Sequence, residues 1–499
     1  MGSMKLSQLT DILTPDSVSE ANIRIGDIEI TDVVISSQLV KQGSLFIALA
    51  GTKVDGHDFI ADAIERGAAV VVCERIPKEL IHKNICIQVP DTHLVAGPIA
   101  SRFFGDPSHK LKVIGVTGTN GKTTTTTLLY KLFENLGYKV GLISTIQNYI
   151  HKKELPATHT TPDPITLHTL FRDMVDAGCE YCFMEVSSHA LDQKRVVGIE
   201  FTGAIFTNAT HDHLDYHMTF EAYLSAKQGL FDMLHDHMWA LANADDENGE
   251  FMLQNTKAMQ HYYGLTHEDH HFSGKINFEG TIIENSFNGL VMDINGKKLV
   301  SNLVGVFNAY NLLAIFGAAQ LLDEDADLVI EKMGELESAD GRFQMVRNSR
   351  GTIGIIDYAH TPDALENVLA TLRDIKKTDQ RIITVIGCGG NRDTLKRPVM
   401  ARIARELSDF VVLTADNPRG EEPLAIIESM KHGLDNPKDD AVFEVIDRAE
   451  AIENAVSLAG DNDIILIAGK GHETYQEIKG EKFHFNDREV LEEKLRQVK

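Results

Sequence analysis

A short apolar run, Lys112-Val113-Ile114-Gly115-Val116, leads directly into Thr117-Gly118-Thr119-Asn120-Gly121-Lys122-Thr123 and then into helical spacing over Thr124–Leu136. Strand, glycine loop and helix in that order leave few folds open. Glycines let the backbone turn so that successive N–H groups face one point, where phosphate oxygens fit. The helix adds its positive N-terminal end, Lys122 a mobile charge, and Thr123 a hydroxyl that can bind Mg²⁺. The pattern predicts ATP at Gly118, Thr119, Asn120, Gly121, Lys122, Thr123 and Thr124. Its glycine spacing departs from the general Walker pattern, which shares the closing Gly-Lys-Ser/Thr. A plain strand–helix turn would not need the Lys-Thr pair.

Around this loop, short apolar runs alternate with longer amphipathic ones, the signature of parallel α/β domains. Strands are predicted at Val113–Val116, Val140–Ile143, Tyr181–Val186, Ala204–Thr207 and Trp239–Ala242. A later series covers Gly354–Ile356, Ile382–Ile386, Phe410–Leu413 and Ile464–Ala468, with helices at Tyr310–Leu322, Asp363–Leu372 and Val399–Leu407. At 499 residues the chain exceeds one ordinary core. Asp106-Pro107-Ser108 and the segment Ser338–Gly341 suggest boundaries, giving three domains at 4–109, 110–341 and 342–499. The expected fold is α/β: a smaller N-terminal domain, a central P-loop parallel-sheet ATPase domain and a C-terminal Rossmann-like domain. Met1-Gly2-Ser3 ahead of Met4 reads as an expression scar.

The bulk properties exclude several classes. A formal charge of −25 argues against a nucleic-acid partner. No apolar run approaches the ~18–20 residues of a membrane span, so no membrane insertion is expected. Five cysteines and no secretory pattern point to reduced thiols in the cytoplasm. Cys179 and Cys182 form a CxxC without a second pair to complete a zinc site, which favours a helix end followed by a buried strand.

Polar residues cluster just after the apolar runs: Thr117–Thr123, Glu185 to His189, Asn208 to His217, Asp357 to His360, Asp416 to Arg419, and Gly469 to Glu473. Ligands of open α/β sheets sit outside the carboxyl ends of the strands, so two sheets should present chemistry from those edges, toward each other. Glu185, at a strand end beside the glycine loop, is a candidate metal ligand. His211-Asp212-His213-Leu214-Asp215-Tyr216-His217 looks like a zinc cluster but lacks a cysteine, and fits one metal ligand among substrate contacts equally well.

In order and spacing, Gly115 to Thr125, Glu185-Val186-Ser187-Ser188-His189, Asn208 through His217, Asp357-Tyr358-Ala359-His360-Thr361-Pro362-Asp363 and Gly469-Lys470-Gly471-His472-Glu473 resemble the Mur ligases. Folylpolyglutamate synthetases share the glycine loop but not the whole set. The resemblance covers most of residues 25 to 499. It implies ATP-dependent amide-bond formation on a UDP-muramoyl dipeptide through an acyl phosphate, in peptidoglycan precursor synthesis. It also implies catalytic roles for Lys122, Glu185, His213 and Lys227. Thr123 and Glu185 would hold one Mg²⁺, and His213 and a carbamylated Lys227 a second. Asn308, Asn311, Arg342 and Asp357 carry over as ATP contacts, although Asn308 also suits a helix N-cap. Thr160, Thr161, Ser187, Gln193 and Arg195 match muramoyl-peptide positions, and His159 stands where the family often has Asn. The nucleotide sugar would sit around Ser36-Ser37-Gln38, Phe46 and Gly51 to Phe59. The family usually shows Asp-Ser-Arg there, so only Ser37 remains as the uridine candidate.

For the incoming amino acid the resemblance associates Asp416, Asn417, Pro418 and Arg419 with meso-diaminopimelate, with Arg392, Gly469 and Glu473 as further contacts. Arg419 would pair with the distal carboxylate and Glu473 with the distal ammonium. Lysine, lacking that carboxylate, should leave the guanidinium unpaired. An L-lysine-adding ligase and a P-loop kinase-like ATPase are the alternatives.

Overall fold

Strands buried on both faces need continuous apolar runs, and the runs around the glycine loop supply them. In the computed structural model, which describes residues 2–13, 17–18, 28–51, 54–78, 86–210, 214–266, 272, 274–436 and 439–497, they assemble into three main sheets. The central sheet has Lys112–Thr117 in its middle, with Tyr181–Glu185 and Val140–Ile143 parallel on one side. Gly203–Phe206, Trp239–Asn243 and Met259–Leu265 lie parallel on the other. Side chains alternate about Lys112–Thr117. Ile114 and Val116 pack with Leu128, Leu132 and Phe183 on one face, while Val113 packs with Cys182, Met184 and Phe206 on the other. Helix Lys122–Asn135 covers the first face and helix Phe220–Asp232 the second.

The second sheet runs Gln344–Arg347, Ile353–Asp357, Ile464–Ala468, Ile382–Cys388, Phe410–Ala415, Val442–Glu444, all parallel except the first. A hairpin, Tyr475–Ile478 with Glu481–His484, stands beside its carboxyl edge. The third sheet, of Ser17–Val18, Cys86–Gln88, Val70–Cys73, Ser44–Ile47 and Asp32–Val34, belongs to the N-terminal part. An α/β architecture with parallel sheets is therefore present. The strand boundaries match the sequence expectation within about two residues, a normal uncertainty for element ends.

One expectation needs correction, and one part of the sheet was not anticipated. Beyond the expected parallel strands, Phe278–Ser286, Gly289–Ile294 and Lys297–Ser301 extend the central sheet as an antiparallel meander. Asn308 is not an N-cap, because helix Val306–Leu321 begins earlier, with Gly305 as its cap at φ +97°. Asn308 lies inside the first turn, and its Nδ2 donates to Val304 O at 2.8 Å.

The CxxC is structural. Cys179 follows the end of helix Pro164–Asp176, Cys182 lies within a strand, and both are buried free thiols that burial pushes above their ordinary pKa. Among the described residues, no helix is long and apolar enough to cross a membrane.

His168, on helix Pro164–Asp176, is fully buried, and neither ring nitrogen has a hydrogen-bond partner among the described residues. Burial pulls its pKa from 6.5 down to about 4. Between those values the unfolded chain binds a proton that the folded chain refuses. This stability term is complete above pH 6.5 and is lost as pH falls toward 4. The full loss is on the order of 3 kcal/mol. His168→Phe is expected to flatten the decline in urea midpoint between pH 7 and 5, relative to the unsubstituted chain.

Candidate active site

The glycine loop takes its shape from contacts that forbid side chains. Gly118 has φ +150°, and a Cβ there would lie 1.9 Å from Thr207 Oγ1. Gly121 has φ +86°, and its Cβ would meet Asn311 Oδ1 at 2.9 Å. The next strand end pins the loop: Thr119 N donates to Asn208 O at 2.8 Å, Asn120 N to Asn208 Oδ1 at 2.9 Å, and Thr207 Oγ1 to Asn120 O at 2.6 Å. Lys122 opens the helix, and its Nζ donates to Gly118 O and Thr119 O, each at 2.8 Å. Thr123 and Thr124 are buried in the first turn. Lys227 is buried behind the loop, donating to Gly118 O at 2.8 Å, with its ammonium 4.2 Å from the Tyr223 ring centre. Asn311 donates to Asn308 Oδ1 at 3.0 Å and accepts from Thr125 at 3.3 Å, which ties both asparagines to the underside of this helix.

Glu185 ends its strand 1% exposed. Its carboxylate accepts from Thr145 N at 2.7 Å and Thr145 Oγ1 at 3.1 Å, and no Lys or Arg among the described residues pairs with it. A buried carboxylate without a cationic partner is costly. With the Thr123 hydroxyl it supplies the hard oxygen donors that Mg²⁺ prefers, so the residues fit that ion. His213 lies outside the described residues, as do His211 and Asp212.

The muramoyl-peptide candidates form one network beside Glu185. Thr161 Oγ1 donates to Glu185 O at 2.8 Å and accepts from Ser187 N at 3.1 Å, and Thr160 Oγ1 lies 3.0 Å from Thr145 Oγ1. Arg195 donates to Thr161 O at 2.8 Å and to Gln193 Oε1 at 2.6 Å. Ser187 also caps the short helix Ser188–Asp192. His159 is exposed nearby. Ser37 is separate: buried in a turn of the N-terminal part, it bonds Asp62 and helps hold that carboxyl below its usual range.

The second sheet reaches the glycine loop directly. Arg342 donates to Thr123 Oγ1 at 3.2 Å, its guanidinium lies 4.6 Å from the Tyr358 ring centre, and its buried Nε has no hydrogen-bond partner among the described residues. Asp363 opens helix Pro362–Ile375, which Thr361 caps, and its carboxylate accepts from Asn120 Nδ2 at 2.8 Å and Thr210 Oγ1 at 3.0 Å. Asp357 is buried at its strand end, where burial raises its pKa. Its carboxylate accepts from the Phe343 and Ala359 backbone at 2.7 and 2.8 Å, so it shapes the turn behind Arg342.

At the far side of this edge, the 416–419 loop meets Gly469 to Glu473. Gly469 has φ +114°, and a Cβ there would lie 2.8 Å from Asp416 Oδ2. Glu473 accepts from Asn417 Nδ2 at 2.8 Å and Lys470 Nζ at 2.9 Å. Arg419, at φ +52°, is zipped to the hairpin through Glu477 O at 3.0 Å, following Pro418. Its guanidinium donates to Gly390 O at 3.0 Å and lies 3.4 Å from Glu477 Oε2. The expectation that lysine would leave Arg419 unpaired is therefore wrong, because Glu477 supplies a carboxylate from within the chain. Arg392 is exposed, and no hydrogen bond among the described residues ties it to the 416–419 loop.

Sequence reasoning did not single out Thr145, Asp363, Glu477 or Lys470. Asp363 and Lys470 stand inside quoted motifs, which is the signal that could have marked them. Thr145 and Glu477 carry no local signature.

A phosphate loop on one parallel sheet, joined at its mouth to charged loops on the carboxyl edge of a second, defines an ATP-dependent ligase. Family profiles agree along the chain: the Mur ligase family catalytic domain at residues 29–103, the Mur ligase middle domain at 116–319, and the Mur ligase glutamate ligase domain at 341–471. A UDP-N-acetylmuramoyl-L-alanyl-D-glutamate–2,6-diaminopimelate ligase of Cytophaga hutchinsonii is 51% identical over 98% of this chain and 99% of its own. A solved structure with the same ligase name is 30% identical, with TM-score 0.71 over 99% of both chains. The MurF ligase of Thermotoga maritima in complex with ADP shares the fold, at 17% identity and TM-score 0.61, over 93% of this chain and 98% of that one. The chain belongs to the Mur ligase family.

Proposed function

We propose that this ligase adds meso-diaminopimelate to UDP-N-acetylmuramoyl-L-alanyl-D-glutamate with ATP, in the cytoplasm, as a step of peptidoglycan precursor synthesis. The observation that carries the reading is the direct junction of the two sheets at Thr123, Asn120, Arg342 and Asp363, with an acid-and-base-lined loop pair beyond it. The activity for which relatives at about half identity are named supports the choice of substrates. Residues 4–109 would carry the nucleotide sugar around Ser37, 110–341 the ATP, and 342–499 the amino acid.

In this reading the dipeptide carboxylate attacks the γ-phosphorus of ATP, giving an acyl phosphate and ADP. The acceptor amine then attacks the acyl carbon, and phosphate leaves with the C–O electron pair and takes up the proton that the amine nitrogen loses. The loop N–H groups, Lys122 and Arg342 offset charge on the transferring phosphoryl group. Thr160, Thr161, Ser187, Gln193 and Arg195 hold the peptide so that its carboxylate faces that group. Thr123 and Glu185 would hold Mg²⁺, which supplies further charge neutralisation, and the resemblance adds His213 and carbamylated Lys227 for a second ion. Asn308 and Asn311 support the ATP site from below, and Asp357 aims Arg342.

Discrimination against L-lysine rests on attraction of the distal carboxylate to Arg419, in competition with Glu477, and not on stranding a guanidinium. Its size is correspondingly reduced. Phosphate release measured with ATP, the UDP-muramoyl dipeptide and either diaminopimelate or L-lysine tests this. Diaminopimelate is expected to be the better acceptor by roughly 10–100-fold in kcat/KM, with the preference reduced in Arg419→Ala. Release independent of any amino acid would instead indicate a kinase-like ATPase.

A further inference from the structure

Lys470 is fully buried, yet the chemistry assigned so far does not use it. Its Nζ lies 2.9 Å from Glu473 Oε2, 3.1 Å from Asn417 Oδ1 and 3.8 Å from Asp416 Oδ1. These three side chains come from the loops proposed to receive the incoming amino acid. An ammonium only donates, and Asn417 Oδ1 also accepts from Glu477 N at 2.9 Å. Two donors on one side force the Asn417 amide to turn its oxygen toward them and its Nδ2 toward Glu473, which accepts it at 2.8 Å. Lys470 therefore adds a second donor to the Glu477 N–H in holding that amide, and it also holds the Glu473 carboxylate directly.

Formal charge points the same way. Asp416 and Glu473 bring two carboxylates and Lys470 one ammonium, which leaves a single negative charge in that cluster, with Arg419 set against Glu477 beside it. One substrate ammonium balances it. Without Lys470, the Asp416 and Glu473 carboxylates would both lose the ammonium set against them.

We propose that Lys470 is a positioning residue for the acceptor amino acid, orienting Asn417 and Glu473 and setting the site to accept one ammonium. The proposal rests on the acceptor reading above. The test measures steady-state phosphate release with the full chain, varying meso-diaminopimelate, ATP and UDP-muramoyl dipeptide in turn with the other two saturating. Lys470→Met is expected to raise the diaminopimelate KM at least tenfold while the KM values for ATP and dipeptide stay within about twofold. Lys470→Arg should recover part of the loss. Should Lys470→Met fail to fold, the pair Lys470→Met/Glu473→Gln removes one charge of each sign and leaves the net charge of the cluster unchanged. That double variant is expected to fold and to show the diaminopimelate KM of Glu473→Gln alone.

An unchanged diaminopimelate KM in Lys470→Met would overturn the proposal, as would a double variant much worse than Glu473→Gln. A uniform loss across all three substrates that tracks melting temperature would reduce Lys470 to a structural cation and also overturn it. If the unsubstituted chain itself shows no diaminopimelate-dependent release, the acceptor reading fails first and takes this inference with it.

Discussion

Lys122→Ala is expected to lower kcat for amino-acid-dependent phosphate release by about 1000-fold, roughly the effect of removing one preorganised charge donor from a transition state. The residue sits at the first helical position after Gly121, and its ammonium is held over the loop by Gly118 O and Thr119 O. Those two contacts are only part-buried, so the melting temperature should change little. Acid-quench measurement of phosphate release, beside a melting curve, separates the two effects. Release within tenfold of the unsubstituted rate would mean that the charge on the transferring phosphoryl group is balanced elsewhere, with Arg342 the first residue to suspect.

The second large effect is expected at the base of the acceptor loops. Arg448 and Asp487 are buried together, with Nε to Oδ1 at 2.7 Å and Nη2 to Oδ2 at 2.8 Å. The same guanidinium donates to Ala468 O at 3.0 Å and lies within 3.4 Å of Ala415 O. These are the last residues of the strands that launch Gly469 to Glu473 and Asp416 to Arg419. Asp487→Ala leaves a buried guanidinium uncompensated, at a cost of about 3–5 kcal/mol. The C-terminal sheet should unfold at lower urea, and acceptor-dependent release should fall with it. The single tryptophan, Trp239, lies in the central sheet, so its fluorescence reports on a different unit. Asp487→Ala should therefore shift the circular-dichroism transition ahead of the fluorescence transition. Arg448→Met/Asp487→Leu, apolar at both positions, should recover most of the stability. Coincident, unshifted transitions in Asp487→Ala would show that the pair does not anchor these strands.

Much of the candidate site was legible because its signals are local. The glycine loop needs two positive-φ positions with no room for a side chain, followed by a helix, and that demand falls on consecutive residues. Strand-end polar clusters were legible for the same reason: an apolar run that stops at Glu185 or Asp357 marks a carboxyl edge. Less was readable where the period was ambiguous. Phe278–Ser286 alternates buried and exposed residues only in part, so the meander beyond the parallel strands left no clear trace. Asn308 could be read as a cap because the helix start was placed too late by a few residues.

The amino-acid order by itself determined the alternation of strand and helix, the phosphate loop and the loops that carry charge, since backbone conformation and burial pattern are set by near neighbours. Only the tertiary structure decided that Glu477 already faces Arg419, that Asp363 holds Asn120, and that Lys470 is enclosed by Asp416, Asn417 and Glu473. The Arg419 and Asp363 contacts join residues 58 and 243 positions apart. What brings them together is strand order and the docking of one sheet on another, and both are fixed by summed burial over whole domains and not by any short stretch of sequence.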